Sequence, residues 1–124
     1  MIKLLAIDMD GTCLNQRSRI TPAVLQALTA AHGAGVEIVP TTGRALCCLP
    51  HQLAAHPELY RYAITSNGAS VTELSDHSTL FRAEISENTA LELTKSLQDS
   101  HIGRTAHIDH QYLVEGHPLH AMGR

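Results

Sequence analysis

The sequence predicts an α/β fold that begins as a parallel sheet and continues as antiparallel hairpins. Three consecutive segments carry this prediction: an apolar run over residues 2 to 8, an amphipathic pattern over 22 to 33, and a second apolar run over 36 to 40. A strand, a helix and a strand at this spacing form a βαβ unit, whose crossover makes the two strands parallel. The first run is nearly continuous, which is typical of a strand buried on both faces of such a sheet.

The helix between these strands has signals at both ends. Thr21 is a suitable N-cap, and Pro22 is a favourable first helical residue. Gly33 and Gly35 then end the helix. One amphipathic helix is therefore expected over about residues 22 to 33.

A second helix and a third strand are expected next. The helix should span residues 44 to 56, where Pro50 either kinks it or marks its first turn. Residues 62 to 66 predict the strand, which a turn at Asn67 and Gly68 closes.

The remaining elements are predicted to be antiparallel and no longer follow the parallel winding of the first part. They are a hairpin of residues 69 to 74 and 79 to 83, a helix from 87 to about 100, and two short strands at 104 to 109 and 111 to 115. Ser86 can cap this helix, and its apolar positions include Leu91 and Leu97. Because parallel winding ends at the hairpin, we expect residues 1 to 82 to form one domain and residues 83 to 124 to begin a second.

Length, charge and composition argue against several classes of function. A chain of 124 residues suffices for one small domain, or for one lobe and part of another. A formal charge of -3, with one Phe and three Tyr, provides neither the basic face nor the stacking surface of a nucleic-acid binder. No apolar run is long enough to span a bilayer and the first residues do not resemble a leader peptide, so we expect a cytoplasmic protein without membrane partners. The three cysteines match no disulfide or zinc pattern and are expected to be reduced and buried.

Two carboxylates stand where the first strand ends. Asp8 closes the apolar run, and Asp10 and Gly11 follow in a turn. Ligands of open α/β sheets collect outside the carboxyl ends of the strands, so both side chains are expected in a crevice and not in the core. Asp8 could attack a phosphorus atom and hold the phosphoryl group, while Asp10 protonates the leaving oxygen and later activates water. Since two carboxylates would repel a phosphate dianion, such a site needs a hard cation, and Mg²⁺ is suited to it. The alternative for this pair is an ordinary Asp-Gly turn.

A second polar segment follows the second strand. It consists of Thr41, Thr42, Gly43 and Arg44. If the two strands are adjacent, a hydroxyl here reaches the same phosphate, and Thr42 is favoured because it borders the glycine turn. The helix start that follows adds affinity for anions. A phosphate-binding role is favoured for Thr42 and Arg44, the alternative is a plain helix N-cap with a solvated arginine, and Arg44 is left out of the catalytic set.

These two segments and residues 65 to 69 resemble three motifs of the haloacid-dehalogenase-like (HAD) phosphatases, in particular the Cof-type branch, subfamily IIB. The Asp-x-Asp-Gly-Thr motif at Asp8 is the most specific of the three, and the order and spacing agree from Met1 to about Glu115. The resemblance implies that Asp8 is the nucleophile and Asp10 the general acid and base. It also implies that Mg²⁺ is bound by Asp8 and by the backbone carbonyl of Asp10.

The resemblance extends these roles to the phosphate and the substrate. The Met9 backbone, Thr42 and Gly43 would hold the transferring phosphate, and Asn67 would contact the substrate at the entrance of the site. Asn67 and Gly68 could equally form a plain hairpin turn. The substrate would be a small phosphorylated metabolite such as a sugar phosphate, and residues 83 to 124 would begin the cap domain with which this branch selects it.

The sequence also departs from the family. Members continue well beyond 124 residues and supply a lysine that neutralises phosphate charge and a Gly-Asp segment that completes the magnesium site; neither is found here. We therefore expect the amino-terminal part of such a protein. One alternative is a catalytically incomplete domain that only folds or forms a homodimer. Another is a phosphoacceptor signalling domain, which would need an acceptor aspartate that residues 45 to 70 lack.

Histidines are concentrated towards the end of the sequence. They are His101, His107, His110, His117 and His120. With Asp109 they could suggest a transition-metal site, but alternation along a strand would point His107 and His110 to opposite faces. We interpret them as solvated side chains.

Overall fold

The computed structural model describes residues 1–109 and 111–115. The strands are β1 (Leu4–Asp8), β2 (Glu37–Thr41), β3 (Tyr62–Thr65), β4 (Ser70–Glu73), β5 (Thr79–Arg82), β6 (Arg104–Ile108) and β7 (Gln111–Glu115). The helices are α1 (Pro22–Gly33), α2 (His51–Ala54) and α3 (Glu87–Ser96), and short 3₁₀ turns occupy Leu46–Cys48 and Ser66–Gly68. In the described ranges no helix combines the length and the apolar character that crossing a membrane requires.

The sheet changes from parallel to antiparallel along its width. Five strands lie in the order β1-β2-β3-β4-β5, and β6 pairs with β7 in a separate sheet. The pairs β1–β2 and β2–β3 are parallel, whereas β3–β4, β4–β5 and β6–β7 are antiparallel. The predicted α/β class is therefore confirmed: a Rossmann-like parallel core passes into an α+β region. The division between residues 82 and 83 stays a prediction.

Helix α1 forms as its sequence predicts. The hydroxyl of Thr21 accepts a hydrogen bond from the backbone N–H of Val24 at 3.3 Å, which satisfies one of the free donors of the first turn. At the other end the N–H of Ala34 donates to the carbonyls of Ala30 and Ala31, and Gly35 takes a left-handed φ of 84°. The helix buries Leu28 against the sheet. It thereby provides the crossover that places β1 and β2 side by side.

Strand β1 is exposed, so the prediction of a strand buried on both faces is wrong. Leu4 is 55% exposed and Leu5 36% exposed. The apolar run does form a strand, but in the described sheet β1 lies at the edge and pairs only with β2. Burial depends on which elements cover a strand, and this the local pattern does not specify.

The predicted helix over residues 44 to 56 forms only in part, and Pro50 marks its start, which is one of the two expected outcomes. The chain forms one 3₁₀ turn at Leu46–Cys48 and then α2, which is only four residues long. Between them Leu49 is extended, with φ -64° and ψ 143°. A residue that precedes proline is excluded from the helical region by contact with the proline ring, so Pro50 ends one turn and caps the next.

The later elements agree with the sequence more closely. The predicted hairpin is β4–β5, the predicted strand pair is β6–β7, and Ser86 caps α3 by accepting from the N–H of Thr89 at 3.1 Å. Helix α3 ends at Ser96 and not near residue 100. Its apolar side chains remain accessible, with Leu91 50% and Leu97 37% exposed.

The core lies between the sheet, α1 and the loop that carries α2. Its buried apolar members are Met9, Cys13, Leu14, Leu28, Ile38, Leu53, Leu59 and Tyr60. Cys13 is a free thiol, as predicted, and burial raises its pKa. Because Met9 is fully buried, the turn that follows β1 is held to this core.

Candidate active site

The parallel strands bring the predicted residues to one edge of the sheet. In the register of β1 with β2, Asp8 lies opposite Thr41, and Thr41 in turn lies opposite Ile64 of β3. The carboxyl ends of three adjacent strands therefore lie side by side. Asp8 is the last residue of β1, Thr42 follows β2, and Asn67 follows β3. A crevice at this position is where α/β sheets bind their ligands.

Asp8 is exposed and oriented by its own turn. One carboxylate oxygen, Oδ2, accepts a hydrogen bond from the Thr12 hydroxyl at 3.0 Å. The Asp8 and Met9 carbonyls accept from the N–H groups of Cys13 at 3.1 Å and Leu14 at 2.8 Å, which closes the turn. Gly11 has a left-handed φ of 76°, a conformation that glycine adopts without steric cost. Asp8 thus presents an accessible carboxylate on a fixed backbone.

Thr42 is nearly buried, at 5% exposure, and its hydroxyl is held in place. The backbone N–H of Thr42 donates to Ile64 at 2.9 Å, and its hydroxyl oxygen accepts from the N–H of Arg44 at 3.1 Å. A hydroxyl that accepts one hydrogen bond still has its own proton to donate. Thr42 can therefore offer that proton to a phosphate oxygen at the edge of the sheet.

Gly43 and Asn67 are in close contact. A Cβ atom added at Gly43 would lie 2.8 Å from the side-chain oxygen of Asn67, closer than real Cβ contacts allow. Ser66, Asn67 and Gly68 are consecutive left-handed residues, with φ of 52°, 56° and 92°. The N–H groups of Ser66 and Asn67 donate to the carbonyls of Arg44 and Thr42. The segment is thus a hairpin connection, and it is also bound to the loop that follows β2.

Arg44 forms a two-point ion pair with Asp10. Nε donates to Oδ2 at 2.8 Å and Nη2 donates to Oδ1 at 2.5 Å. A third nitrogen, Nη1, donates to the Cys48 carbonyl at 3.2 Å. The Arg44 hydrogen bonds and charge hold the pKa of the Asp10 carboxyl below its ordinary value of 3.8, although burial opposes this.

The alternative of a solvated Arg44 is therefore wrong, while the expectation that Arg44 lies outside the catalytic set stays a prediction. Its side chain is only 18% exposed, while that of Asp10 is 51% exposed. One signal was present in the sequence. Asp10 lies two residues beyond the first predicted strand and Arg44 four residues beyond the second, and adjacent parallel strands bring such positions to the same end of the sheet.

The oxygen atoms at this end of the sheet can supply only some of the ligands of a Mg²⁺ ion. No cluster of three or more His, Cys, Asp or Glu side chains that could hold a metal occurs within residues 1–109 and 111–115. Arg44 binds both side-chain oxygens of Asp10, so that residue is left with its backbone carbonyl, while Asp8 has an exposed carboxylate. One carboxylate and one carbonyl fit a Mg²⁺ ion that keeps water and phosphate oxygens as its other ligands.

The described histidines form no metal site either. His107 is exposed, and its Nδ1 lies 2.6 Å from the Ser66 hydroxyl oxygen, so it is hydrogen bonded and not merely solvated. Asp109 lies 3.8 Å from Arg82. His110, His117 and His120 lie outside the described residues.

The paired cysteines differ from expectation. Cys47 is exposed and Cys48 is partly exposed, whereas both were expected to be buried. Their sulfur atoms lie 3.5 Å apart, and both are free thiols. The 3₁₀ turn before Pro50 directs this segment to the surface beside Arg44.

Comparison with known proteins agrees with this geometry. Residues 5–120 match the family model of the haloacid dehalogenase-like hydrolases. The chain is 29% identical over 121 residues to the pyridoxal phosphate phosphatase of Escherichia coli (strain K12), covering 94% of this chain and 42% of that protein. It is 41% identical over 70 residues to the 5-amino-6-(5-phospho-D-ribitylamino)uracil phosphatase of Bacillus subtilis (strain 168), covering 56% of this chain and 28% of that protein.

The fold has matching solved structures. A sugar phosphatase of HAD subclass IIB superimposes with a TM-score of 0.76 at 24% identity, covering 90% of this chain and 43% of that chain. The chain thus spans less than half the length of the proteins it matches. The predicted resemblance to the haloacid-dehalogenase-like proteins is confirmed, and the chain belongs to the haloacid dehalogenase-like hydrolase family.

Proposed function

We propose that the protein hydrolyses small phosphate monoesters through an aspartyl-phosphate intermediate on Asp8. The observation that carries this proposal is the accessible Asp8 carboxylate at the end of a parallel strand, beside the Thr42 hydroxyl that follows the neighbouring strand. A carboxylate at such a position can attack phosphorus, and a hydroxyl proton can stabilise the charge that develops on the phosphoryl oxygens.

The reaction divides into two balanced steps. An oxygen of Asp8 forms a bond to phosphorus while the ester P–O bond breaks, and the leaving oxygen takes a proton from Asp10. Water then attacks the acyl phosphate, Asp10 accepts its proton, and the bond from Asp8 to phosphorus breaks to release phosphate. Thr42 and the Gly43 and Met9 backbone would hold the phosphoryl group, and Asn67 would contact the rest of the substrate.

The ion pair with Arg44 fits the second step directly. Because Arg44 lowers the pKa of Asp10, Asp10 is held as the carboxylate, the form that accepts a proton from water. To donate a proton in the first step Asp10 must leave Arg44. A bound phosphate dianion competes for the same guanidinium, since Arg binds phosphate and carboxylate in the same two-point geometry.

Mg²⁺ is part of the same proposal. HAD phosphatases generally use this ion, and here the Asp8 carboxylate and the Asp10 carbonyl would hold it. The ion would offset the repulsion between Asp8 and the phosphate dianion. Its binding is measurable without turnover, as a Mg²⁺-dependent shift of the Gly11 amide resonance that Asp8→Asn removes.

The substrate class follows from the relatives. Two relatives are named as phosphatases of pyridoxal phosphate and of a phosphoribityl compound, both small phosphorylated metabolites. We extend this class to the present protein. A cytoplasmic location and a homodimer stay predictions.

A second candidate is a domain that folds or dimerises without turnover. It is favoured by exposed apolar side chains, with Leu4 of β1 55% and Leu91 of α3 50% exposed in the described structure. A surface of this kind is suited to bind another protein surface. The phosphoacceptor signalling domain is not favoured, since the family is that of hydrolases.

The test compares Asp8→Asn with the unchanged protein in the polypeptide that naturally contains these 124 residues. With Mg²⁺ and a generic phosphate ester, we expect Asp8→Asn to lower kcat about a thousand-fold or more. Asp99→Asn, which makes the same chemical change at an exposed position, serves as the matched control and should retain full activity. Near-normal turnover by Asp8→Asn would refute the covalent mechanism, and no turnover by any form would favour the second candidate.

A further inference from the structure

A cavity opens beside the candidate active site. Its volume is about 360 Å³, and it lies between residues 17–19 and residues 47–52, with Arg44 in its wall. Three arginines line it, namely Arg17, Arg19 and Arg44, and its lining contains no Asp or Glu. Since the whole chain has a formal charge of -3, this concentration of positive charge is local. We call this cavity the arginine pocket.

The turn that carries two of these arginines is held in place. The side-chain oxygen of Asn15 accepts from the backbone N–H groups of Arg17 at 2.9 Å and Arg19 at 3.1 Å. The N–H of Ile20 donates to the side-chain oxygen of Gln52 at 2.7 Å, which joins the turn to α2. The two arginines therefore start from a fixed backbone.

The charges of the pocket are only partly balanced. Asp10 pairs with Arg44. Across residues 1–109 and 111–115, neither Arg17 nor Arg19 has an ion-pair partner. Both are exposed, so water and salt screen them, and a single charge would bind weakly. A guanidinium presents paired N–H donors that match the oxygens of phosphate and carboxylate.

We propose that the arginine pocket binds a phosphate or carboxylate group, and that the substrate is a phosphate monoester carrying this second anionic group. The substrate part rests on the proposed function. Arg44 connects the two sites, because its guanidinium binds Asp10 while the same side chain lines the pocket. An ester with its phosphoryl group at Asp8 can therefore place a second anion against Arg17 and Arg19.

Binding can be tested on this chain without turnover. Cys47 and Cys48 both line the pocket, but Cys47 is exposed and Cys48 only partly so, while Cys13 is buried, so a neutral alkylating reagent should modify Cys47 first. We expect 1,4-butanediol bisphosphate to slow Cys47 alkylation several-fold, measured by peptide mass spectrometry. The double variant Arg17→Gln/Arg19→Gln should lose this protection, and Lys3→Gln/Lys95→Gln, with the same change in charge elsewhere, should keep it. Equal protection in both double variants, or none in the unchanged chain, would overturn the pocket.

Kinetics in the naturally occurring polypeptide test whether the bound anion is a second group of the substrate or a separate molecule. Alkanediol bisphosphates with two to four carbons are compared with alkyl monophosphates of the same length. We expect kcat/KM for at least one bisphosphate to exceed that for the monophosphate of the same length about tenfold. Arg17→Gln/Arg19→Gln should lower this ratio to near one, and Lys3→Gln/Lys95→Gln should leave it unchanged. Alkylation protection without this preference would overturn the substrate class and identify the ligand as a separate anion. Protection without turnover of any ester would contradict the proposed function and not the pocket.

Discussion

The ion pair between Arg44 and Asp10 should couple the two residues in the free energy of unfolding. The perturbation is a double-mutant cycle of Arg44→Gln, Asp10→Asn and the two combined. Each substitution removes the charge and keeps most of the side-chain shape. The cycle separates the pair from other contacts, such as the hydrogen bond from Arg44 to the Cys48 carbonyl at 3.2 Å, because that contact is lost equally in both halves.

The expected coupling is about 1 kcal/mol. Exposed ion pairs contribute about 0.2–1 kcal/mol, while hydrogen bonds to charged groups contribute about 1.5–3 kcal/mol. The bond between Arg44 and Asp10 is two-point and short, but the Asp10 side chain is 51% exposed, so solvent screening places the pair near the top of the first range. In a chain of this size about 1 kcal/mol changes the melting temperature by roughly 4 °C.

The coupling should also depend on pH with a definite sign. The pKa of Asp10 in the folded protein lies below its ordinary value of 3.8. The stabilisation is therefore complete above the unfolded pKa and disappears as the pH falls through the lowered folded pKa. Urea unfolding of the four proteins at about pH 7 and about pH 2.5 measures both effects. A coupling of zero at neutral pH, or one that rises on acidification, would refute the ion pair as the cause.

Three further predictions concern the same edge of the sheet and the core. Thr42→Val should lower the free energy of unfolding by about 1 kcal/mol, because the N–H of Arg44 loses its acceptor, whereas Thr42→Ser should cost less; urea unfolding distinguishes them. Gly43→Ala should displace the Asn67 side chain, seen as a shift of its amide resonances, and Asn67→Gly should relieve any loss of stability that this causes. Burial raises the pKa of Tyr60 to about 12 and its hydroxyl has no hydrogen-bond partner among the described residues, so stability should fall as the pH rises above about 10. Tyr60→Phe should weaken that alkaline fall and leave neutral-pH stability unchanged or higher; an unchanged alkaline fall would contradict this assignment.

Much of the fold was predictable because the signals are local. Thr21 and Pro22 start α1, the glycines end it, and the crossover then requires β1 and β2 to be parallel. The positions of Asp8 and Thr42 at one edge follow from that geometry alone. Their chemical roles remain predictions.

Two features that the sequence did not predict share a physical cause. The exposure of β1 depends on strand order, and the ion pair of Arg44 with Asp10 joins residues 34 positions apart. Neither follows from the periodicity of one segment. The short α2 is different, because the restriction that Pro50 places on Leu49 is local and can be predicted from the sequence. The exposure of Cys47 follows from that broken helix.

Because Gly43 and Asn67 are in contact, a substitution in one of their two loops affects the packing of the other. A lineage that acquires a side chain at position 43 must turn the Asn67 side-chain amide away or replace residue 67. The left-handed residues from Ser66 to Gly68 restrict this exchange further, since glycine and asparagine adopt that conformation most readily. In a loop graft, residues 41–44 and 66–68 should therefore be transferred together, because either loop alone would pack against a loop from the recipient protein that has a different side chain at the contact.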